Sequence, residues 1–526
     1  MTKYLLTRIV KALLSVIIVV GVVMVLIYSC MRKDSIFASD PTYTKQKLNS
    51  QQVYKMQEWE RYGYLDYVNY SEYIQSLLNK GEITQEQFTD LSKISDTAEK
   101  DSPEMAAYVE QFTEYYESQG YQVKRLDAQR MKGGEGAYKE GGRAQMYAYK
   151  DVPVLKRLVN YIGGLITIDN IHNASGIAEE DRGISFTWFD PAYGGEKFSP
   201  AIMGNGTTHK YLLYFDNTFP YIHQNLVTVN LGKSYSVNQG IDVFETMTGA
   251  QGSFAKSLVT YPSGVQEETA DNIHSATYAE GSLALGGLAQ KYYVDDYTSV
   301  SVNRNGMSKM GYSFVIGILS VIMAYLLAVP LGIMMALKKD KLLDKLGTFY
   351  IVFIMAVPSL GYIFMFKALG NSLGLPTTFN MESPTWLMYV LPIVSLALPS
   401  IANLMKWLRR YMIDQMNSDY VKFARSGGLS EGEIFRKHIL KNAIIPIVHG
   451  IPGSVLGALT GAIITERVYV VPGVGNLLTT AINKYDNGVI VGVTLFYALL
   501  SVTSVIIGDI LMSVVDPRIN FTTKAR

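Results

Sequence analysis

The sequence predicts an α-helical polytopic membrane protein: six transmembrane helices, with a large extracellular α+β domain inserted between the first and second. Three observations predict it. Six apolar runs free of Asp, Glu, Lys and Arg are each long enough to cross a bilayer core of about 30 Å. Basic residues gather in alternate short loops, which fixes an orientation. Residues 31–309, between the first and second runs, have the texture of a water-exposed chain and hold 25 of the 37 tyrosines.

The first run is Ala12–Ser29, with Lys3, Arg8 and Lys11 before it and Arg32 and Lys33 after it. The others are Met310–Leu337, Leu346–Phe366, Pro384–Met405, Asn442–Thr465 and Asn487–Gly508. Lys338, Lys339, Lys341 and Lys345 follow the second run, and 406–441 carries eight more basic residues. Loop 368–383 has none, and 466–486 has only Arg467 and Lys484. Lys and Arg favour the cytoplasmic side, so both termini and 406–441 are expected inside and 31–309 outside. The expected divisions are 1–30, 31–309, a transmembrane domain 310–515 and a tail 516–526. Pro330, Pro358, Pro392, Pro399, Pro446 and Pro452 each remove a backbone donor and can bend a span. Cys30 follows the first run as in a lipoprotein signal, but bulky Tyr28 stands where a small residue is needed, so an uncleaved span is expected.

Composition excludes several classes. Lys+Arg 47 against Asp+Glu 46 leaves no basic surplus for nucleic acid. One cysteine and six scattered histidines offer no disulfide framework and no metal-ligand spacing. Gly232-Lys233-Ser234 has the tail of a phosphate-binding loop, but Val227 stands where the motif needs glycine. No nucleophile–base pair is legible, so no catalytic residue and no enzyme is expected.

Within 31–309, Ser102-Pro103 opens a helix that ends at Gly120, Thr84-x-x-Gln87 is a capping box, and 152–161 reads as a helix. From 163 on, short runs at 165–168, 184–189, 211–215 and 226–229 alternate with turn residues and read as strands. A helical first part and a mixed second part are expected, linked by the Gly-rich stretch 131–143. Most tyrosines are expected at half-buried surface. Three glycosylation sequons, at Asn69, Asn173 and Asn205, carry little weight.

The segment 406–441 holds two helices, one from about Lys406 to Arg425 and one capped by Ser430, with Gly427-Gly428 between them. Such a hairpin is rigid where a linker would be floppy. An amphipathic hairpin on the membrane surface would also suit its charges.

Asp419-Tyr420-Val-Lys-Phe-Ala424-Arg425-Ser-Gly427-Gly428-Leu429-Ser430-Glu431 resembles the cytoplasmic coupling loop of ABC importer permeases, in the version of the peptide-importing branch. His438, Leu440, Asn442 and Ala443 extend the likeness. Glu466 to Gly475, with Pro472 and Gly473, resembles the family's outer loop, Asp516-Pro-Arg518 its ending and Leu231 to Tyr235 its segment before the second span. The first 30 residues resemble the B-type subunit of oligopeptide and dipeptide permeases. Residues 31–228 enlarge a region usually much shorter, as in long-ectodomain Gram-positive versions. The resemblance implies the type I ABC importer fold and one of two membrane subunits of an ATP-driven oligopeptide importer. It implies as partners a second permease subunit, two cytoplasmic ATPase subunits that bind ATP and magnesium, and an extracellular peptide-binding lipoprotein. This chain itself needs no cofactor and no metal. It implies coupling roles for Asp419, Tyr420, Ala424, Arg425, Gly427, Gly428, Leu429, Ser430 and Glu431, and an outer gate at Glu466, Pro472, Gly473 and Gly475. The rival readings are a transport-inactive peptide sensor on the same scaffold and an importer of another small solute such as nickel. A ring of span histidines would favour nickel, and only His449 lies in a run.

Overall fold

The computed structural model describes residues 2–129, 141–168, 180, 183–190, 195–205, 210–213, 227–249, 251, 257–260, 266–269, 274–278, 298–302, 306–381 and 385–515. The Asp516-Pro-Arg518 ending, the sequon at Asn173 and most of 131–143 lie outside them.

Helix α1 runs unbroken over Thr2–Cys30. The segment after it holds α2 Pro41–Lys45, α3 Leu48–Arg61, β1 Leu65–Asn69, α4 Tyr70–Asn79, α5 Gln85–Leu91, α6 Pro103–Ser118, β2 Gln122–Leu126, β3 Gln145–Asp151 and α7 Val154–Gly163. The caps expected at Thr84 and Ser102 are made: Gln87 N–H donates to Thr84 Oγ1 and Met105 N–H to Ser102 Oγ. Gly120 follows α6 at φ +79°, in the left-handed region a helix terminus favours. Asn69, the first sequon residue, is the N-cap of α4 in a full capping box with Glu72.

The first part is not purely helical. β1, β3 and β2 form an antiparallel sheet in that order, with Tyr67 opposite Tyr149 and Gln122 also opposite Tyr149. Among the described residues of this segment, seven tyrosines lie deeper than half-buried surface. Tyr62, Tyr64, Tyr67, Tyr70, Tyr73, Tyr147 and Tyr235 are buried, in two clusters around Trp59 and Phe112. Flat rings pack edge to face in a small domain that is poor in branched aliphatics, as Tyr70 does on Phe112 at 5.5 Å between centroids. In the second part, β4 Ile166–Ile168, β5 Gly183–Thr187, β7 Lys210–Leu212 and β8 Val227–Val229 fall on the four expected runs, and β6 Ala201–Asn205 is a strand that was not expected. β4 pairs with β8, and β5, β6 and β7 form an antiparallel sheet. A short helix, α8 Val243–Thr248, and hairpins of β9 Ser257–Thr260 with β10 Gln266–Thr269 and β11 His274–Tyr278 with β12 Thr298–Val302 complete the described strands.

The remaining helices are α9 Lys309–Leu337, α10 Leu342–Ala356, α11 Ser359–Ser372, α12 Val390–Met416, α13 Asp419–Ser426, α14 Glu431–Ile434, α15 Lys441–His449, α16 Ile451–Tyr469, α17 Val474–Asn483 and α18 Asn487–Val515. Five of the helical runs are long and apolar enough to span a membrane. The expected span 346–366 is not one helix. It breaks at Val357-Pro358 into α10 and α11, bent by 109°. Pro358 has no N–H to donate and drives the preceding residue out of the helical region, so Val357 sits at ψ 128°. Counted as one span, the pair brings the total to six. Pro330, Pro399 and Pro446, by contrast, stay inside helices.

α9 packs along α12, and α10, α15 and α16 also pack on α12 around a core of Ala324, Ala328, Ala397, Met405 and Leu408. Small residues let apolar helices approach closely. A Cβ on Gly347 of α10 would collide with the Met335 sulfur of α9. α1 packs on α18 and α7.

Candidate functional site

The stretch 406–441 does not fold as one long helix and a second. α12 ends at Met416, Asn417 and Ser418 turn the chain, and α13 starts again at Asp419. Ser418 is extended at ψ 151°, and its hydroxyl donates back to the Gln415 carbonyl at 2.6 Å, closing the old helix before the new one begins.

α13 has one buried edge. Val421 is fully buried and Ala424 nearly so, in one cluster with Leu408, Met412, Ile434 and Ile439. Tyr420 holds one end down: its hydroxyl donates to Gln415 Oε1 at 2.5 Å and accepts from Asn442 Nδ2 at 3.1 Å. The opposite face is bare, and Phe423 is 80% exposed.

The turn after α13 is a full Schellman motif. Gly428 N–H donates to the Arg425 carbonyl at 3.1 Å and Leu429 N–H to the Ala424 carbonyl at 3.3 Å. Gly428 lies at φ +84°, where a side chain is strained, and no atom of this chain would meet a Cβ there. Ser430 then caps α14 in a box with Glu433. Arg425 clamps the turn, Nε to Glu431 Oε1 at 2.5 Å and Nη2 to Oε2 at 3.0 Å. Asp419 instead pairs with Lys422 at 2.9 Å. The chain continues through a π-turn, Phe435–Leu440, into α15 and α16. The structure thus brings Ala424, Arg425, Gly427, Gly428, Leu429, Ser430 and Glu431 into one compact turn, with Asp419 and Tyr420 at its far end. Sequence reasoning passed over Phe423 as a site residue and Asp344 altogether. Arg409 of α12 reaches Asp344 of α10 through Nε–Oδ1 at 2.6 Å and Nη2–Oδ2 at 2.7 Å, tying the base of the turn to the neighbouring helix.

The second predicted group lies at the opposite end of α16. Glu466 is fully buried. Its Oε1 accepts from Ser313 Oγ of α9 at 2.6 Å and its Oε2 from Asn476 N–H at 3.0 Å. Ser313 Oγ accepts in turn from Val474 N–H at 2.9 Å. The free amides that open α17 are therefore capped by side chains from two other helices. Pro472 directs the turn, and its carbonyl accepts from Gln251 Nε2 at 3.0 Å. A Cβ on Gly473 would strike the Glu466 carboxylate, and one on Gly475 would lie 2.6 Å from the Ile463 Cα. These glycines let the turn close onto the carboxylate. The stretch 466–486, expected as a loop, is mostly helix.

Between the two groups lies a cavity of about 520 Å³, lined among others by Tyr325, Ser400, Asn403, Trp407, Gly453 and Gly457. Cβ positions on Gly453 and Gly457 point into open space, so these glycines leave room where packing does not require them.

Comparisons with known proteins agree with this arrangement. The family described as binding-protein-dependent transport system inner membrane component matches residues 328–521. The oligopeptide transport system permease protein AmiC of Streptococcus pneumoniae serotype 4 is 33% identical over 530 residues, covering 100% of this chain and 99% of its own. The dipeptide transport system permease protein DppB of Lactococcus lactis subsp. cremoris is 30% identical over 229 residues, 42% of this chain and 73% of its own. The oligopeptide transport system permease protein OppB of Haemophilus influenzae is 27% identical over 289 residues, 53% of this chain and 92% of its own. The match to AmiC thus takes in the whole chain, where that to DppB takes in less than half. The chain is a multi-pass membrane protein of the type I ABC importer fold, and it belongs to the permease family of ABC oligopeptide importers.

Proposed function

We propose that this chain forms half of the translocation pathway of an ATP-driven oligopeptide importer and passes the motion of cytoplasmic ATPase subunits to it. The observation that carries the proposal is the turn 419–431. It is locked by a Schellman motif, a capping box and a bidentate ion pair, yet presents Phe423 to solvent. A rigid projection with an apolar tip is suited to seat in a partner and transmit force. The coupling residues are Asp419, Tyr420, Ala424, Arg425, Gly427, Gly428, Leu429, Ser430 and Glu431.

In this reading the chain crosses the membrane six times, with both termini and the turn in the cytoplasm and residues 31–309 outside, where an extracellular peptide-binding lipoprotein delivers peptide. A second permease subunit closes the cavity beside Asn403 into a pathway. Closure of two ATPase subunits around ATP and magnesium moves α13. The motion reaches α12 through the Val421–Met412 cluster and α10 through Asp344–Arg409, and switches the cavity from outward- to inward-facing. The outer turn at Glu466, Pro472, Gly473 and Gly475 acts as the outer gate, since it joins α9, α16 and α17 at one carboxylate.

A Gly428→Val exchange tests the coupling role. No neighbouring atom meets a Cβ there, and the strain of a side chain at φ +84° is confined to an exposed turn, so the protein should still insert, while peptide uptake and peptide-stimulated ATP hydrolysis by the assembled importer should be lost. Normal uptake would refute the assignment. Peptide-stimulated hydrolysis without uptake in the unaltered importer would favour the sensor reading.

A further inference from the structure

We propose that the structure holds a phospholipid site at the outer end of the first and last membrane-spanning helices, with Arg157 of α7 receiving the lipid phosphate. The inference goes beyond peptide import and rests only on the membrane placement of α1 and α18.

Arg157 is 8% exposed, and its guanidinium lies between two rings, 3.6 Å from the Tyr28 centroid and 3.9 Å from that of Tyr64. Cation–π contact offsets part of the cost of burying the charge. One donor stays unmet: Nη2 is buried without a hydrogen-bond partner. Among the described residues no carboxylate pairs with Arg157. A buried cation with an unused N–H costs free energy unless an anion meets it.

A cavity of about 310 Å³ adjoins this group. Arg157, Arg61 and Lys233 line it, and of these Arg61 shares its charge with Glu58 at 3.4 Å. The cavity therefore offers an excess of positive charge. Met24 and Tyr28 of α1 and Gly488 and Val491 of α18 form its floor. It opens where two membrane helices emerge, at the level of lipid headgroups.

Apolar surface continues from the cavity along the same helices. Val22, Val25 and Leu26 of α1 are exposed, as are Leu155 and Val159 of α7 and Ile166 and Ile168 of β4. α7 lies against the span itself, since a Cβ on Gly21 would sit 3.3 Å from Leu158 Cδ2. A phosphate beside Arg157 would thus have its acyl chains on a surface already facing lipid. The cavity near Asn403, by contrast, is formed by other helices, which separates this site from a peptide route.

The full chain in detergent tests the proposal, using phosphatidylglycerol, diacylglycerol and inorganic phosphate as probes. Native mass spectrometry should show one retained phosphatidylglycerol, and the same lipid should raise the melting temperature. Arg157→Gln should weaken that binding at least tenfold, and the exposed Lys233→Gln severalfold. Diacylglycerol, which lacks the phosphate, and millimolar inorganic phosphate, which lacks the chains, should protect little. Equal protection by inorganic phosphate would replace the lipid site with a free-anion site. Equal protection by diacylglycerol would reduce it to apolar adhesion. Should Arg157→Gln fail to fold, Lys233→Gln decides the matter, and unchanged lipid affinity in that variant overturns the proposal.

Discussion

Asp486 is the joint between the inserted segment and the last membrane helix, and replacing it with Asn should loosen that joint. The carboxylate is fully buried. Its Oδ2 accepts from Ser234 Oγ at 2.7 Å and from the Ser236 and Val237 amides at 2.9 Å each. Its Oδ1 accepts from Tyr235 N–H at 2.8 Å and from Val489 N–H, in the first turn of α18, at 3.2 Å. Every group around it donates. An Asn side chain must turn its NH2 toward one of these two sets, and the smaller set still holds two amides. Two buried donors left unpaired at about 1–3 kcal/mol each give a loss of roughly 4 kcal/mol. Ser234→Ala removes one donor of five, leaves the carboxylate served and frees the Asn238 N–H that donates to its hydroxyl at 2.8 Å, for a loss of about 2 kcal/mol. Melting of the purified chain in detergent, followed by tryptophan fluorescence, measures both. At roughly 2 °C per kcal/mol for a large domain, Asp486→Asn should fall by about 8 °C and Ser234→Ala by about 4 °C. A fall for Asp486→Asn no larger than that for Ser234→Ala would refute the reasoning, because the negative charge would then be irrelevant to the joint.

Three further outcomes are expected. Phe423→Ala should leave melting unchanged, since the ring is 80% exposed, yet weaken ATPase binding at least tenfold in a pull-down from detergent. Gly457→Leu should insert normally, because its Cβ direction is open, and should slow uptake of longer peptides more than of dipeptides by filling the cavity. Arg125→Gln should lower the melting temperature at pH 7 by an amount that shrinks near pH 3. Burial pushes Asp101 up, but the Arg125 guanidinium, at 2.6 Å, and Ser95 outweigh it and hold the carboxyl below its ordinary 3.8. That depressed value makes the contribution full above the ordinary carboxylate range and lost as pH falls through the folded value.

What was legible in the sequence follows from how local each cause is. The membrane helices were legible because one apolar run satisfies the bilayer by itself, and the helix caps at Thr84, Ser102 and Ser430 because each needs only four consecutive residues. The Gly427-Gly428 turn was legible for the same reason: a Schellman motif is written within six residues. Pro358 was visible as a lost donor, but whether a proline bends a helix, as Pro330 and Pro399 do not visibly break theirs, depends on what packs beside it. The Asn417-Ser418 break was missed because a serine hydroxyl turning back on its own helix carries no pattern distinct from a helical serine. The sheet of β1, β2 and β3 was missed because its strands are five to seven residues long, and β1 runs straight into α4. Asp486 and Glu466 are the limiting cases. Glu466 stood in a motif, but its work as the cap of α17 needs Ser313, 153 residues away. Asp486 meets ligands about 250 residues distant, and nothing near it in the chain announces them. Both carboxylates satisfy backbone amides where distant segments meet, so the fold must exist before their roles do. The substitutions that should matter most to assembly are therefore those a local reading of the sequence would pass over.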